Sequence, residues 1–205
     1  MRKNEITILV IILFSFILSF YFYPQMPEEI VSHWNAQGQV DGYISKFLGL
    51  FLMPFILIGL ALLFNVIPRI DPLKKNIEKF RRYYDGFIIL FLLFMLSIHL
   101  HGILWNIGIE INPFVILPIG FGLLFFCIGI LCENTKRNWS IGIRTPWTLS
   151  SDVVWDKTHK IGGKLFKIAG VIALVGVFFQ SHVLFFILIP VISVTAYVTP
   201  HTSCG

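Results

Sequence analysis

Six long apolar runs divide the chain, and polar or charged segments separate them. The runs are Ile6–Tyr23, Phe47–Ile67, Phe87–Ile109, Pro113–Cys132, Leu165–Phe179 and Val183–Val198. A helix that crosses a bilayer needs about 20 apolar residues. The first four runs meet that length, whereas the last two are short, so a re-entrant hairpin is the alternative for the last pair. The pattern predicts an all-α integral membrane protein whose six transmembrane helices form three consecutive hairpins.

Composition and charge add an orientation to this pattern. The chain is 56% hydrophobic and 13% charged, whereas soluble domains carry about 25% charged residues. Six spans use up most of its 205 residues, so we predict a single membrane domain, 1–205. If each run crosses the membrane in turn, fifteen of the sixteen Lys and Arg residues lie on one side of the membrane, and Lys46 alone lies on the other. Basic residues near span ends stay in the cytoplasm. We therefore predict a multi-pass protein of the cell membrane with both termini cytoplasmic and the segment Pro24–Lys46 outside.

Two inner segments are long enough to hold structure. In Pro68–Asp85, Asp71 and Pro72 predict the start of a basic amphipathic helix. Its apolar positions are Leu73, Ile77, Phe80 and Tyr84. This helix is expected to lie in the membrane interface.

The second inner segment, Glu133–Lys164, is richer in unusual residues. It holds three of the five tryptophans, together with an Arg-Thr-Pro turn at Arg144. Ser150–Asp152 predicts a helix start, and Gly162–Gly163 predicts its end. An arginine fork beside aromatic faces is typical of a recognition surface. It is equally typical of a loop that folds back and docks between helix ends, and both readings stay open.

This segment resembles the SdpI family of immunity proteins. The residues that carry the resemblance are Asn138, Trp139, Ile141, Gly142, Ile143, Arg144, Thr145, Pro146, Trp147, Thr148, Leu149, Trp155, Thr158, His159, Gly162 and Gly163. The SdpI-like region spans 113–198, with its motif segment at 133–164. The first region, 1–67, is similar to the domain of unknown function DUF1648, with its outer segment at 24–46. Its marks are Met26, Pro27, His33, Trp34, Asn35, Gly38, Asp41, Gly42, Tyr43 and Lys46.

The resemblance implies resistance to a secreted peptide toxin, without catalysis. In the best-known member it also implies signalling, in which a cytoplasmic winged-helix repressor is sequestered at the membrane. The expected partners are membrane lipid, an extracellular peptide toxin and that repressor, with no direct contact to nucleic acid. A membrane scaffold or chaperone and a small transporter are the alternative functions.

Each face of the membrane then has a candidate binding site. The cytoplasmic partner site comprises Asn138, Trp139, Gly142, Arg144, Thr145, Pro146, Trp147, Thr148, Trp155, Thr158 and His159. The outer, toxin-facing site comprises His33, Trp34, Asn35, Gly38, Asp41 and Tyr43. The outer segment reads as a turn-rich platform. It is either a lid on the helix ends or the contact site for the toxin, and these two readings are compatible.

Enzyme signatures do not occur in the sequence. It has no His-Glu-x-x-His pair, no phosphate-binding glycine loop and no Gly-x-Ser-x-Gly elbow. No apolar run carries an acidic residue near its centre, which disfavours an ion-coupled pump. We expect no enzyme activity, cofactor or metal. His99 and His101 are the polar exceptions inside a span, and they point to nearly opposite helix faces. Bonds to carbonyls or neighbouring helices are favoured over a functional role.

The predicted orientation can be tested by labelling single cysteines in intact cells. We expect a membrane-impermeant maleimide to label Gln37→Cys, because Pro24–Lys46 is predicted outside, and to leave Lys75→Cys unlabelled until the cells are opened. Labelling of Lys75→Cys in intact cells would contradict the orientation.

Overall fold

A computed structural model describes residues 3–179 and 182–201, without the side chains of 3, 191 and 194–201. Residues 1–2 and 202–205, which the sequence places in the cytoplasm, and the loop positions 180–181 lie outside the described part. The chain forms eight α-helices and one β-hairpin in that part. The elements are α1 (Lys3–Phe22), β1 (Glu29–Trp34), β2 (Val40–Ser45), α2 (Lys46–Ile70), α3 (Lys74–Lys79), α4 (Arg81–Asn106), α5 (Pro113–Asn134), α6 (Pro146–Ser150), α7 (Asp152–Val175) and α8 (Val183–His201).

Five helical segments within the described residues are long and apolar enough to cross a membrane. They are Asn4–Gln25, Lys46–Ile70, Arg81–Asn106, Pro113–Asn134 and Asp152–Phe178. The last predicted run coincides with α8, a helix of 19 residues that is not one of these five. The prediction of an all-α multi-pass membrane protein is thereby confirmed, while the count of six spans stays a prediction.

The chain divides into two compact units. The first comprises 1–63 and 88–117, and the second comprises 64–87 and 118–205. In the first unit, a buried cluster joins the hairpin to the helices. Its buried members are Met26, Ile30, Leu50, Phe51 and Ile103. The hairpin sits close against α2 because Gly49 has no side chain, and a Cβ there would clash with Ile30 Cδ1.

The β-hairpin itself was not predicted. The turn residues of Pro24–Lys46 indicated a platform, and the structure shows two antiparallel strands in which Ile30 pairs with Ile44. Exposed and partly buried positions alternate along β2, as they do in a strand with one packed face. Neither strand alternates strictly between apolar and polar residues, since Ile30 and Val31 are adjacent in β1 and Tyr43 and Ile44 are adjacent in β2, so the period-two signal of a strand is weak.

In the second unit, the structure differs from two predicted helix boundaries. The amphipathic helix predicted from Asp71 to Tyr84 is interrupted: α3 spans only Lys74–Lys79, and Tyr84 belongs to α4. Its apolar face is nonetheless buried, since Ile77, Phe80 and Tyr84 are all at most 2% exposed. The prediction that this helix ends at Gly162–Gly163 is wrong, because α7 continues through both glycines to Val175.

Gly163 and, further along α7, Gly170 allow close helix packing. A Cβ on Gly163 would lie 2.7 Å from the backbone oxygen of Gly129 in α5, and one on Gly170 would lie 2.6 Å from that of Gly122. Small residues let two membrane helices bring their backbones together. The α5–α7 contact is therefore a backbone-to-backbone contact at two successive levels, and it fixes the middle and second half of α7.

Filling this contact should weaken the second unit. We expect Gly163→Ala to lower the free energy of unfolding by about 1–3 kcal/mol, because the added methyl group overpacks the α5–α7 contact. Gly59→Ala in α2 is the matched control: nothing lies within 4 Å of its Cβ position, so we expect no loss, or a gain of roughly 0.5–1 kcal/mol. Unfolding by a denaturing detergent in micelles measures both, and equal stabilities of the two variants would contradict the packing role.

Candidate functional site

The loop between α5 and α7, residues 135–151, is organised around the side chain of Asn138. This side chain is fully buried. Its Oδ1 accepts hydrogen bonds from the backbone N–H groups of Ser140 and Ile141 at 2.9 and 2.6 Å. Its Nδ2 donates to the carbonyl oxygens of Lys136 and Ile141. We call residues 135–151 the motif loop. The one amide side chain of Asn138 satisfies four of its backbone groups and holds this part of the loop in a fixed turn.

A buried carboxylate ties the motif loop to the segment before α3. Asp71 is 3% exposed, and its Oδ2 accepts from Trp139 N at 3.0 Å and from Ser140 Oγ at 2.6 Å. Its Oδ1 accepts from Leu73 N at 2.7 Å. Asn76 adds a third bond to the loop, from Nδ2 to the carbonyl oxygen of Arg137 at 2.8 Å. Sequence reasoning assigned Asp71 only to a helix start, and nothing local in the sequence indicated that it reaches a loop nearly seventy residues away.

His159 supports the loop from the α7 side. Its Nδ1 donates to the carbonyl oxygen of Trp155 at 2.9 Å, and its Nε2 accepts from Ile143 N at the same distance. An imidazole can accept only when it is neutral. Its ring stacks on Trp155, with 4.0 Å between centroids. Gly142 passes directly above it with φ +116°, and a Cβ there would meet Nε2 at 2.5 Å.

Thr145 and Thr148 close the motif loop at the short helix α6. The Thr145 side chain accepts from Thr148 N, and the Thr148 hydroxyl bonds the Thr145 N–H in return, which makes a capping box. Pro146 occupies the first turn, where its missing N–H costs nothing. Ser151 then caps α7, with Val154 N at 3.4 Å from its hydroxyl, as predicted for this helix start.

The candidate cytoplasmic residues therefore fall into two groups. Asn138, Thr148, Trp155, Thr158 and His159 are buried, and all of these except Thr158 form hydrogen bonds within the loop or to it. Three larger side chains face outward: Trp139 and Trp147 are 54% and 53% exposed, and Arg144 is also exposed. Arg144 donates from Nη1 to the carbonyl oxygen of Trp139 at 2.7 Å, so the arginine and one tryptophan are held together at the surface.

The hairpin carries the other candidate site. Asn35 Oδ1 accepts from Gln37 N and Gln39 N, and Gly38 adopts φ +77°, so Asn35 and Gly38 build the turn. His33 and Asp41 face each other across the strands, with Nδ1 and Oδ1 2.5 Å apart. Both are exposed, and Tyr43 is 65% exposed. Of the six candidate residues, His33, Asp41 and Tyr43 are therefore the ones that a partner could reach.

Trp34 points the other way, into the first unit. Its ring lies 5.0 Å from that of His101 and 5.1 Å from that of Trp105, measured between centroids. Asn106, at the end of α4, fixes the strand: Oδ1 accepts from Val31 N at 2.8 Å, and Nδ2 donates to Val31 O at 3.1 Å. Asn106 was missed by sequence reasoning, although an amide at the end of an apolar helix is a signal that could have singled it out.

The two histidines within α4 both have protein partners. His101 Nε2 lies 2.7 Å from the carbonyl oxygen of Ile111. His99 Nε2 lies 3.1 Å from Ser19 Oγ, and that hydroxyl donates to Leu50 O at 2.7 Å. These are the carbonyl and interhelical bonds that were favoured for them. Among the described residues, no three His, Cys, Asp or Glu side chains are grouped so that they could hold a metal ion.

Comparisons with known proteins fall on these same two regions. Residues 134–200 match the model of the SdpI/YfhL protein family, and residues 10–58 match that of the domain of unknown function DUF1648. These matches confirm the predicted resemblance to the SdpI family. The chain is also 29% identical over 189 residues to "Immunity protein SdpI" of Bacillus subtilis (strain 168), covering 92% of this chain and 88% of that protein. No solved structure matches the chain significantly.

The dependence of the motif loop on Asp71 can be tested directly. Asp71→Asn replaces one carboxylate oxygen, which accepts hydrogen bonds, with an amide NH₂ group, which donates them. In one amide orientation this NH₂ group faces the N–H of Leu73, and in the other it faces the donors of Trp139 and Ser140, so the bonds on that side are lost. Bonds to charged groups contribute about 1.5–3 kcal/mol each, so we expect hydrogen exchange in 138–141 to accelerate at least tenfold. Asp156→Asn is the control, because Asp156 is an exposed partner of Lys136. Unchanged protection of this segment in Asp71→Asn would contradict the assignment.

Proposed function

We propose that the chain is a membrane immunity protein that protects the cell from a secreted peptide toxin. The observation that carries this proposal is the similarity to the Bacillus subtilis immunity protein over 92% of the chain, which includes both the hairpin and the motif loop. The proposal assigns the exposed hairpin residues His33, Asp41 and Tyr43 to toxin contact. Trp34, Asn35 and Gly38 position them from within the hairpin.

The proposed arrangement has six spans and both termini in the cytoplasm. The support is the basic asymmetry of the sequence and the length of α8, which at 19 residues approaches the roughly 20 residues that a span requires. In this orientation the hairpin faces outward and the motif loop faces inward. The 1–205 chain acts as a single membrane domain within this proposal.

Protection is proposed to need no catalysis and no transport. The test expresses the chain in cells sensitive to the secreted peptide toxin that the Bacillus subtilis immunity protein resists, and it measures survival together with intact toxin in the medium. We expect survival to rise while toxin concentration stays constant. Falling toxin levels would indicate degradation, and loss of protection on collapse of the membrane potential would indicate transport. No protection would reject the immunity function.

A second function is proposed for the motif loop, namely sequestration of a cytoplasmic winged-helix repressor. The observation that favours it is the surface formed by Trp139, Arg144 and Trp147, because exposed tryptophan and arginine are enriched in protein interfaces. Arg144 has one N–H group committed to Trp139 O, which leaves the other donors of the guanidinium fork for a partner.

The two sites should fail independently. We expect His33→Ala to reduce toxin tolerance at least fivefold and to leave the repressor at the membrane, while Arg144→Lys, which lacks the fork, should release the repressor. His182→Ala and Arg82→Lys are matched controls, since both replaced residues are exposed. Survival and membrane retention of a tagged repressor are measured for every variant at equal protein levels. Loss of both activities in both variants would support one structural role instead.

A further inference from the structure

A groove of about 480 Å³ lies between α7 and α8 in the second unit. Its wall is apolar except for the hydroxyl group of Ser193. Ile168, Phe185 and Ile189 line it and are each more than half exposed. Since α7 belongs to a segment that is long and apolar enough to cross a membrane, the groove opens toward lipid.

The groove has two distinct ends along the helices. The short connection from Val175 to Val183 makes α7 and α8 antiparallel neighbours. Leu165, the first lining residue of α7, therefore lies at the same end as Ser193, the last of α8. In the proposed orientation this end is the cytoplasmic one. The lining stretch of α7 rises about 10 Å, which is most of one hydrocarbon leaflet of roughly 15 Å.

A row of three lysines continues α7 beyond this end of the groove. Lys157, Lys160 and Lys164 are exposed. Lys164 lies four residues before Ile168 of the groove, and the three lysines follow one another at spacings of three and four, so neighbouring members share a helix face. Among the described residues, none of the three forms an ion pair. We call these residues the lysine row.

The carboxylates nearby do not compensate this charge. Three acidic residues lie at the cytoplasmic ends of α5 and α7, and each is already paired with a base outside the lysine row. The pairs are Arg137–Asp152, Lys136–Asp156 and Lys167–Glu133. The end of the groove therefore carries three uncompensated positive charges, which favour an anionic ligand.

We propose that this groove binds an anionic phospholipid, with one acyl chain between α7 and α8 and the phosphate group beside the lysine row. An acyl chain suits an apolar wall that faces lipid, and a negative headgroup suits the lysines at its cytoplasmic end. Basic pockets of this kind, between membrane helices on the cytoplasmic side, are typical sites for anionic headgroups. A peptide in the groove would instead bury its backbone N–H and C=O groups against a wall with one polar group.

The test compares an anionic lipid with a zwitterionic one. The full chain is placed in nanodiscs of phosphatidylcholine that contain a trace of phosphatidylglycerol with a diazirine in one acyl chain. After irradiation, the labelled residues are mapped by mass spectrometry. A parallel sample carries the same diazirine on phosphatidylcholine. We expect the phosphatidylglycerol probe to label 165–172 and 185–193 at least fivefold more than the phosphatidylcholine probe, and unlabelled phosphatidylglycerol to compete.

Four variants separate the headgroup site from the groove. Lys157→Gln, Lys160→Gln and Lys164→Gln together should lower labelling by the anionic probe at least fivefold, whereas Arg at the same three positions keeps the charge and should retain it. The matched control changes three exposed lysines of α3 to Gln, and it should retain labelling. These are Lys74, Lys75 and Lys79. Ile168→Trp narrows the groove and should lower labelling by both probes.

Three results would overturn the proposal. Equal labelling by the two probes in the unmodified chain would identify ordinary surrounding lipid. An equal loss in the α3 control would identify general attraction to a basic surface. A disulfide between two copies at Ile189→Cys that abolishes labelling would identify an interface between copies. Nanodiscs hold the same lipids in both leaflets and contain no toxin, so this test is decided separately from the proposed orientation and from the immunity function.

Discussion

Irregular backbone close to a membrane depends on side chains that satisfy its polar groups, and this chain meets the constraint with a few buried polar residues. Asp71, Asn138 and His159 each bond two or more N–H or O–H donors or carbonyls, most of them in the motif loop. Such groups cost several kcal/mol when left unpaired in an apolar environment. The motif loop can therefore lie among helix ends with little regular secondary structure, and its bonded backbone holds the surface residues in fixed positions.

The same constraint explains why many residues of the motif are not themselves contact residues. Trp155 and His159 stack beneath Gly142, and Thr145 and Thr148 complete a capping box. These residues determine the conformation in which Trp139, Arg144 and Trp147 are displayed. The two readings that the sequence left open, a docked loop and a recognition surface, are compatible: the buried half of the loop is docked, and the other half is exposed.

Apolar run length was sufficient to predict the five helices that are long and apolar enough to cross a membrane, because crossing a bilayer requires many consecutive apolar residues. The Ser151 cap of α7 was also predictable, since it depends on its own neighbours. The role of Gly163 was mistaken, because only the position of α5 reveals that a Cβ there would meet Gly129. Asp71 and Asn106 were missed for the same reason: their partners, Trp139 and Val31, are distant in sequence.

Asn106 also decides how a ligand can approach the hairpin. Its amide group exchanges two hydrogen bonds with the backbone of Val31, which is the pairing that an added strand would make at that edge of β1. The sheet edge is thus terminated by a side chain, and an extended peptide cannot join it at Val31 by main-chain pairing. Recognition at Val31 would instead depend on side chains, and selectivity there would come from shape and polarity rather than from backbone complementarity.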